Sequence, residues 1–259
     1  MKRFRLSVPM QVVAVLLGLA FLASADSNSA DIANWITYYY MHPQPDEIPA
    51  RVRQMATMGV FRKESADVPM VAFLAEVFRQ NPSRIAGWFE SLQNASPDVR
   101  FAIIQAAWES NTKEGTAVLN ALAAQKEREF ALQIRTQKPI DLARDQISSP
   151  AFLDMLWATF FASGDAQPVE RIIGVLSWKM PAEGAPNRTG VLLIMGAARW
   201  SLSSNAFQHR RVYEICKDTL PKLNPEGRQT LNEILQKVDE RNRRGPTSHP
   251  SPVPKESHL

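Results

Sequence analysis

The sequence has one cysteine, and this shortage excludes a disulfide-stabilised protein. Of its 259 residues only Cys216 carries a thiol, so the chain has no internal disulfide and depends on packing for its stability. Val212, Ile215 and Cys216 share one helical face, which predicts a buried, unreactive thiol rather than an intermolecular disulfide. Apolar residues make up 45% of the chain and charged residues 22%, which excludes a wholly disordered protein.

Long blocks of like charge are also absent. The formal charge of the chain is +4, but Lys2, Arg3 and Arg5 lie in an N-terminal segment that we expect to be removed. The remaining chain has 27 Lys and Arg against 26 Asp and Glu, a formal charge of +1. A nearly neutral chain of this kind does not favour nucleic acid as a partner.

The sequence motifs of common enzymes and metal sites are absent as well. There is no phosphate loop of the GxxxxGK type, no GxSxG elbow, and no HExxH or CxxC pair. Neither His42 nor His209 has a second His or Cys one helical turn away. We therefore expect no cofactor and no metal, and we favour a protein without catalytic activity. Glu76, Glu90 and Glu109 keep one alternative open, an exported helical hydrolase of cell-envelope material that uses carboxylates.

The N-terminal segment has the three parts of a signal peptide. A basic start is followed by an apolar run over residues 12–22, and residues 23–25, Ala-Ser-Ala, form a cleavage pattern. We expect a signal peptide over residues 1–25, Asp26 as the first mature residue, and an exported protein, periplasmic or secreted. A membrane span needs about 20 apolar residues, and Pro9 and Gln11 shorten the run here. If the leader is not cleaved, the alternative is a membrane-anchored structural or assembly factor.

Between residues 26 and 241 the apolar residues follow helical spacing, and no alternating run indicates a strand. Pairs of helices are predicted to start near residues 69 and 82, 97 and 112, 150 and 166, and 190 and 205. Ser-Pro start signals, as at Ser149-Pro150, mark several of these positions. The sequence therefore predicts an all-α fold, an irregular, α-solenoid-like array of antiparallel helix hairpins.

One stretch of this region resembles a known repeat. Residues 96–100, Ser-Pro-Asp-Val-Arg, together with Ala102 and Ala106, resemble the second helix of HEAT repeats. The resemblance covers about one helix and implies an architecture without an activity. With the missing motifs it leads us to expect a non-catalytic scaffold that binds a protein or a peptide. From residue 242 to 259 the chain is polar and rich in Pro, which predicts a disordered tail.

The segment 125–148 interrupts the helix pairs and is predicted to be an exposed helix followed by a crossing loop. Phe130 and Ile134 are four residues apart and form an apolar strip on a charged helix, with Arg128 and Arg135 at its rim. One interpretation is that the strip docks on the protein's own body, as most amphipathic helices do. The other is that the strip binds the partner.

A second candidate is the aromatic segment near residue 40. Tyr38 and His42 lie off the apolar stripe of the first helix, so they are candidates for a surface that binds a peptide or a glycan. The alternative is structural, because Trp35, Tyr39 and Tyr40 would close the open end of a helical array.

Overall fold

The structure is a computed structural model that describes residues 27–122 and 127–244. In this part of the chain there are twelve α-helices and no β-strand, which confirms the all-α prediction. The helices are α1 Ser27–Thr37, α2 Ile48–Thr57, α3 Glu64–Gln80, α4 Ile85–Ser91, α5 Pro97–Glu109, α6 Lys113–Leu122, α7 Arg128–Ile134, α8 Pro150–Ser163, α9 Ala166–Gly174, α10 Arg188–Gln208, α11 Arg210–Thr219 and α12 Pro225–Arg244. Short 3-10 helices span Tyr39–Met41, Pro45–Glu47, Val60–Arg62, Pro82–Arg84, Val175–Ser177 and Leu220–Lys222. The predicted signal peptide and residues 245–259 of the predicted tail lie outside the described residues.

Helices α3 and α8 form the centre of the core. They pack against each other more extensively than any other pair, and α3 also packs on α5 while α8 packs on α9 and α10. Helix α3 buries Phe73, Leu74 and Val77, and α8 buries Trp157 and Phe160. Full burial of one large apolar side chain stabilises a fold by about 1.5–3 kcal/mol, so this contact joins the two halves of the chain firmly.

The order of packing differs from a linear array of repeats. Helices α5 and α6, and likewise α8 and α9, pack as consecutive neighbours. Helix α3, however, packs mainly against α8 and α5 rather than against α4, which follows it. In a linear array each unit contacts only its neighbours, whereas α3 and α8 are separated in sequence by residues 81–149. The stacked-hairpin arrangement is therefore not confirmed.

Local start and stop signals place helix α8 where the sequence predicts it. Ser149 lies at the N-cap with its hydroxyl oxygen 3.4 Å from the backbone N–H of Phe152, which donates to it, and Pro150 is the first helical residue. Gly164 ends the helix in the left-handed conformation, with φ of 72°. These signals act within one turn of the chain, and for that reason the sequence alone locates them.

The predicted start of α3 at Pro69 is wrong. The helix begins at Glu64, and Pro69 lies inside it. The backbone N–H groups of Ala66 and Asp67 both donate to the carbonyl of Lys63, so a complete first turn forms before the proline. A proline this close to a helix start removes a single intrahelical hydrogen bond, which the buried face of α3 compensates.

The predicted helix start at Asn205 is also wrong. Asn205 is buried within α10, and its side-chain amide donates to the carbonyl of Ser201 at 3.0 Å, so it does not cap a following helix. The chain breaks instead at His209, whose backbone is extended, and α11 begins at Arg210. The last helix likewise continues to Arg244, three residues beyond the boundary predicted for the tail.

The thiol of Cys216 has the buried setting that its neighbours predict. Cys216 lies on the inner face of α11 with Val212 and Ile215, and it is a free cysteine. Burial raises the pKa of this thiol to about 12. The prediction of a buried thiol is confirmed, and its raised pKa disfavours the thiolate, which is the reactive form of cysteine.

Substitution of Gly115 by Ala is expected to destabilise the protein by about 1–3 kcal/mol. A Cβ atom at Gly115 would lie 2.3 Å from the backbone carbonyl oxygen of Ala107, so α5 and α6 would have to separate. Gly87→Ala is the control, because an added Cβ there meets nothing within 4 Å and only the gain in helix propensity remains. Thermal unfolding of both variants measures the effect, and equal stability of the two would contradict the packing argument.

Candidate functional site

A cleft of about 450 Å³ lies between the start of α5 and helix α7. Phe101 of α5 and Phe130 of α7 line it, and their ring centroids are 4.6 Å apart at an interplanar angle of 45°. Phe101 is 43% exposed although its ring lies against another aromatic ring. We call this the aromatic cleft, and its lining is Gln93, Ala95, Pro97, Arg100, Phe101, Glu127, Glu129, Phe130 and Gln133. An exposed aromatic pair in a concave surface is typical of a site that binds an apolar side chain.

A buried ion pair lies at the base of the aromatic cleft. Nε of Arg100 donates to Oε1 of Glu127 at 2.9 Å, and both side chains are largely buried. The guanidinium carbon of Arg100 also lies 5.6 Å from the ring centroid of Phe89. The pair joins α5 to the residue that precedes α7, so it fixes the spacing between Phe101 and Phe130. Loss of one partner would leave a buried charge, which would destabilise this part of the protein.

A second cleft of about 520 Å³ lies on the other side of the loop that precedes α5. Ala95 lines both clefts, so the two are adjacent. The second cleft is more polar and carries Arg53, Arg62 and Asp98. Nη2 of Arg53 donates to the carbonyl of Ser91 at 2.5 Å, which holds this side chain along the wall. The two clefts are therefore neighbours that both carry charged side chains, and the aromatic pair lies in the first of them.

The four residues predicted in segment 125–148 divide between the body of the protein and this surface. Ile134 is 5% exposed and packs into the core, so this end of the strip docks on the protein itself. Phe130 is half-buried and lines the aromatic cleft. Arg128 and Arg135 are exposed, as expected for a rim. That Phe130 contacts a partner stays a prediction.

The structure places the candidates Tyr38 and His42 in different surroundings. His42 is exposed, and Tyr38 is 36% exposed although its ring centroid lies 5.0 Å from that of His209 at the end of α10. Trp35 and Tyr39 are buried and contact each other edge to face, with centroids 5.1 Å apart. Trp35 and Tyr39 therefore belong to the core, and a binding role for Tyr38 and His42 stays a prediction.

His209 is a buried histidine that its sequence pattern does not single out. It is 1% exposed and lies among aromatic rings from α8 and from the segment near residue 40, namely Tyr38, Tyr40, Phe160 and Phe161. Its Nδ1 lies 3.2 Å from the hydroxyl of Tyr40, and its Nε2 has no hydrogen-bond partner among the described residues. Burial lowers the pKa of His209 to about 4, so the ring is neutral at physiological pH.

The three carboxylates considered for catalysis have separate environments. Glu76 is 5% exposed and pairs with Arg79 at 2.8 Å, and burial raises its pKa. Glu109 accepts the backbone N–H of Ile140 at 2.7 Å, and burial raises its pKa also. Glu90 is exposed. An apolar groove of about 190 Å³ is lined by Glu109 and by neither of the other two carboxylates.

Phe101 is the residue of the aromatic cleft that pattern reasoning missed. The buried residues of α5 include Ile103, Ala106 and Ala107 and lie on most sides of the helix. The spacing of apolar residues in α5 therefore gives no local signal that separates Phe101 from the core residues.

Metal binding, membrane spanning and similarity to known proteins also bear on function. Within residues 27–122 and 127–244, no group of three or more His, Cys, Asp or Glu side chains is arranged to hold a metal ion. In the same part of the chain, no helix combines the length and the apolarity required to cross a membrane. Comparison of the chain with models of protein families, with curated proteins and with solved structures finds no match.

Proposed function

We propose that the protein is an exported, non-catalytic helical scaffold that binds a protein or a peptide in the two adjacent clefts. The observation that carries the proposal is the contact between the exposed Phe101 and the half-buried Phe130 in the aromatic cleft. Export is supported by the basic, apolar and small-residue parts of the segment 1–25. The consecutive packing of α5 on α6 and of α8 on α9 supports an irregular array of helix hairpins as the architecture.

The lining of the clefts indicates the chemistry of the partner. The Phe101 and Phe130 rings provide an apolar contact for one aromatic or aliphatic anchor side chain, which is where interfaces concentrate binding energy. Arg53 and Arg62 in the second cleft are placed to contact a carboxylate or a backbone carbonyl of the same chain. A peptide that crosses the Ala95 loop would thus place an apolar residue on one side and an acidic residue on the other.

Substitution of Phe101 by Ala is expected to weaken peptide binding by at least about tenfold without unfolding the protein. Phe101 is 43% exposed, so its removal takes little from the core. Random peptides displayed on phage are selected on the unmodified protein, and fluorescence anisotropy then gives the affinity of enriched peptides for each variant. We expect enriched peptides to share an aromatic or aliphatic anchor followed by an acidic residue.

Leu132→Ala is the matched control for this experiment. Leu132 has the same exposed fraction of 43% and lies on the same helix as Phe130, but it does not line either cleft. It should leave peptide binding unchanged. The proposal is wrong if no peptide is enriched, or if Leu132→Ala weakens binding as much as Phe101→Ala does.

A further inference from the structure

Helix α10 exposes large apolar side chains between positions 192 and 200. Leu192, Leu193 and Trp200 are 48%, 37% and 49% exposed, which makes α10 the main carrier of exposed apolar residues in the described part of the chain. Gly196 lies between them and is exposed too, and a Cβ atom added there would meet nothing within 4 Å. An apolar helix face of this kind on a folded protein marks an interaction surface.

The residues of this face follow the spacing of a coiled coil. Six residues repeat alternately at four and three positions, and we call them the α10 seam: Thr189, Leu193, Gly196, Trp200, Ser203 and Phe207. All six are exposed or half-buried. A repeat of this period keeps the residues on one line that faces a second helix. The seam also alternates in size, because each large residue is followed by a small one.

We propose that the α10 seam is a dimerisation surface, on which α10 of a second copy of this chain packs in antiparallel orientation. A twofold axis midway between Gly196 and Trp200 places Trp200 of each copy against Gly196 of the other. The same axis places Leu193 opposite Ser203. The ring of Phe207 is covered by Arg241 of its own chain, whose guanidinium carbon lies 3.9 Å from the ring centroid, so the outermost layer with Thr189 contributes little. Leu193 and Trp200 thus each meet a small residue, which is the self-complementarity that an interface with twofold symmetry requires.

The pattern selects the second copy, and the antiparallel orientation, over other occupants. In a parallel pair, Trp200 would meet Trp200 and Gly196 would meet Gly196, which leaves clashes and gaps in alternate layers. The charged residues beside the seam already have partners within their own chain, so they do not favour an acidic occupant. Arg199 pairs with Glu233 of its own chain at 2.7 Å, and Arg188 donates to the carbonyl of Pro181.

The available area indicates a weak dimer. Helix α10 has 21 residues and is therefore about 31 Å long. A stable dimer buries about 800 Å² of each partner, and a single pair of helices of this length with a half-buried C-terminal half provides less. We expect dissociation in the micromolar range or weaker, with dimers dominant only at high protein concentration.

Sedimentation velocity over a series of protein concentrations tests the proposal. The full chain is expected to change from monomer to dimer as its concentration rises from low micromolar to near millimolar. Gly196→Phe is expected to abolish the dimer, because the added ring occupies the gap that receives Trp200 of the second copy. The free space around Gly196 means that this variant should fold as the parent does, as circular dichroism can verify.

Gly190→Phe is the matched control. Gly190 is also exposed, also in α10, and also free of neighbours within 4 Å of an added Cβ, but it lies off the seam. It should leave the dimer intact. Leu193→Lys is a second test of the seam if Gly196→Phe does not fold, and it should abolish the dimer as well. The proposal is overturned if the chain stays monomeric at every concentration, even if it binds anionic vesicles or peptides. It is also overturned if the Gly196→Phe variant forms the dimer as the parent does.

The orientation has a test of its own. In the antiparallel register a mixture of Leu193→Cys and Ser203→Cys chains should form a mixed disulfide under mild oxidation, faster than either variant forms one alone. The native Cys216 is buried and does not compete. Cross-linking of Leu193→Cys only with itself would show a parallel pair and would overturn the antiparallel arrangement.

Discussion

An Asp154→Asn variant is expected to be more stable than the unmodified chain above pH 7. Asp154 lies on the buried face of α8 and is 8% exposed, and its Oδ2 has no hydrogen-bond partner among the described residues. Burial raises the pKa of this carboxyl from 3.8 to about 7. Its ionised form is therefore penalised in the folded protein and favoured in the unfolded chain.

The direction of this pKa shift determines how the stability of the protein depends on pH. A group whose pKa is raised by folding contributes stability that is complete below its unfolded pKa of 3.8 and is lost as the pH rises through about 7. A rise of roughly three pKa units corresponds to about 4 kcal/mol as an upper figure. Asparagine has nearly the same shape and no ionised form, so the variant should avoid this loss.

Urea unfolding of both proteins at about pH 4 and about pH 8 measures the effect. The stability of Asp154→Asn relative to the parent should increase by about 4 kcal/mol between the two conditions. Asp218→Asn is the control, because Asp218 is an exposed carboxylate on α11. If the difference between variant and parent is the same at both pH values, Asp154 does not titrate as its burial implies.

The sequence was sufficient to predict those parts of the fold that short-range signals determine. Ser149, Pro150 and Gly164 delimit α8 because a cap, a fixed φ and a left-handed residue act within a few positions. Asn205 misled the prediction because the same residue type can cap a helix or hydrogen-bond inside one. The carbonyl of Ser201, which accepts its amide, is available only because α10 continues through this position.

Contacts between distant segments were not predictable in this way. The packing of α3 on α8 has no local signal, because apolar stripes show which face is buried and not which helix covers it. The candidate site depends on the same kind of contact. Phe130 was identified from its own helix, but the aromatic cleft exists because α7 packs on α5 and places Phe130 beside Phe101. The burial of His209 was not predictable because it arises from rings on α8 and from Tyr38 and Tyr40.

A His209→Phe variant is expected to remove a loss of stability that the parent undergoes in acid. Burial lowers the pKa of His209 from 6.5 to about 4. Its contribution to stability is therefore complete above pH 6.5 and is lost as the pH falls through about 4, because the unfolded chain takes up the proton first. The shift corresponds to about 3 kcal/mol. Phenylalanine keeps a ring in contact with Phe160 and Phe161 but cannot be protonated.

The control for this variant is His42→Phe, since His42 is exposed. The Phe side chain at position 209 also loses the hydrogen bond to the Tyr40 hydroxyl, which should lower stability by about 1 kcal/mol at every pH. The informative quantity is therefore the slope of the free energy of unfolding against pH, and not its value at one pH. If His209→Phe and the parent have parallel slopes between about pH 4 and about pH 6.5, the prediction is wrong.

The two titrations oppose each other over nearly the same pH range. As the pH falls from about 7 to about 4, protonation of Asp154 favours the folded state and protonation of His209 favours the unfolded chain. The parent should therefore show a shallow dependence of stability on pH, although each group alone produces a steep one. Relative to the parent, Asp154→Asn should become less stable as the pH falls and His209→Phe should become more stable. If the two groups titrate independently, the pH slope of the double variant relative to the parent equals the sum of the slopes of the two single variants, whereas direct coupling between Asp154 and His209 would make it differ from that sum.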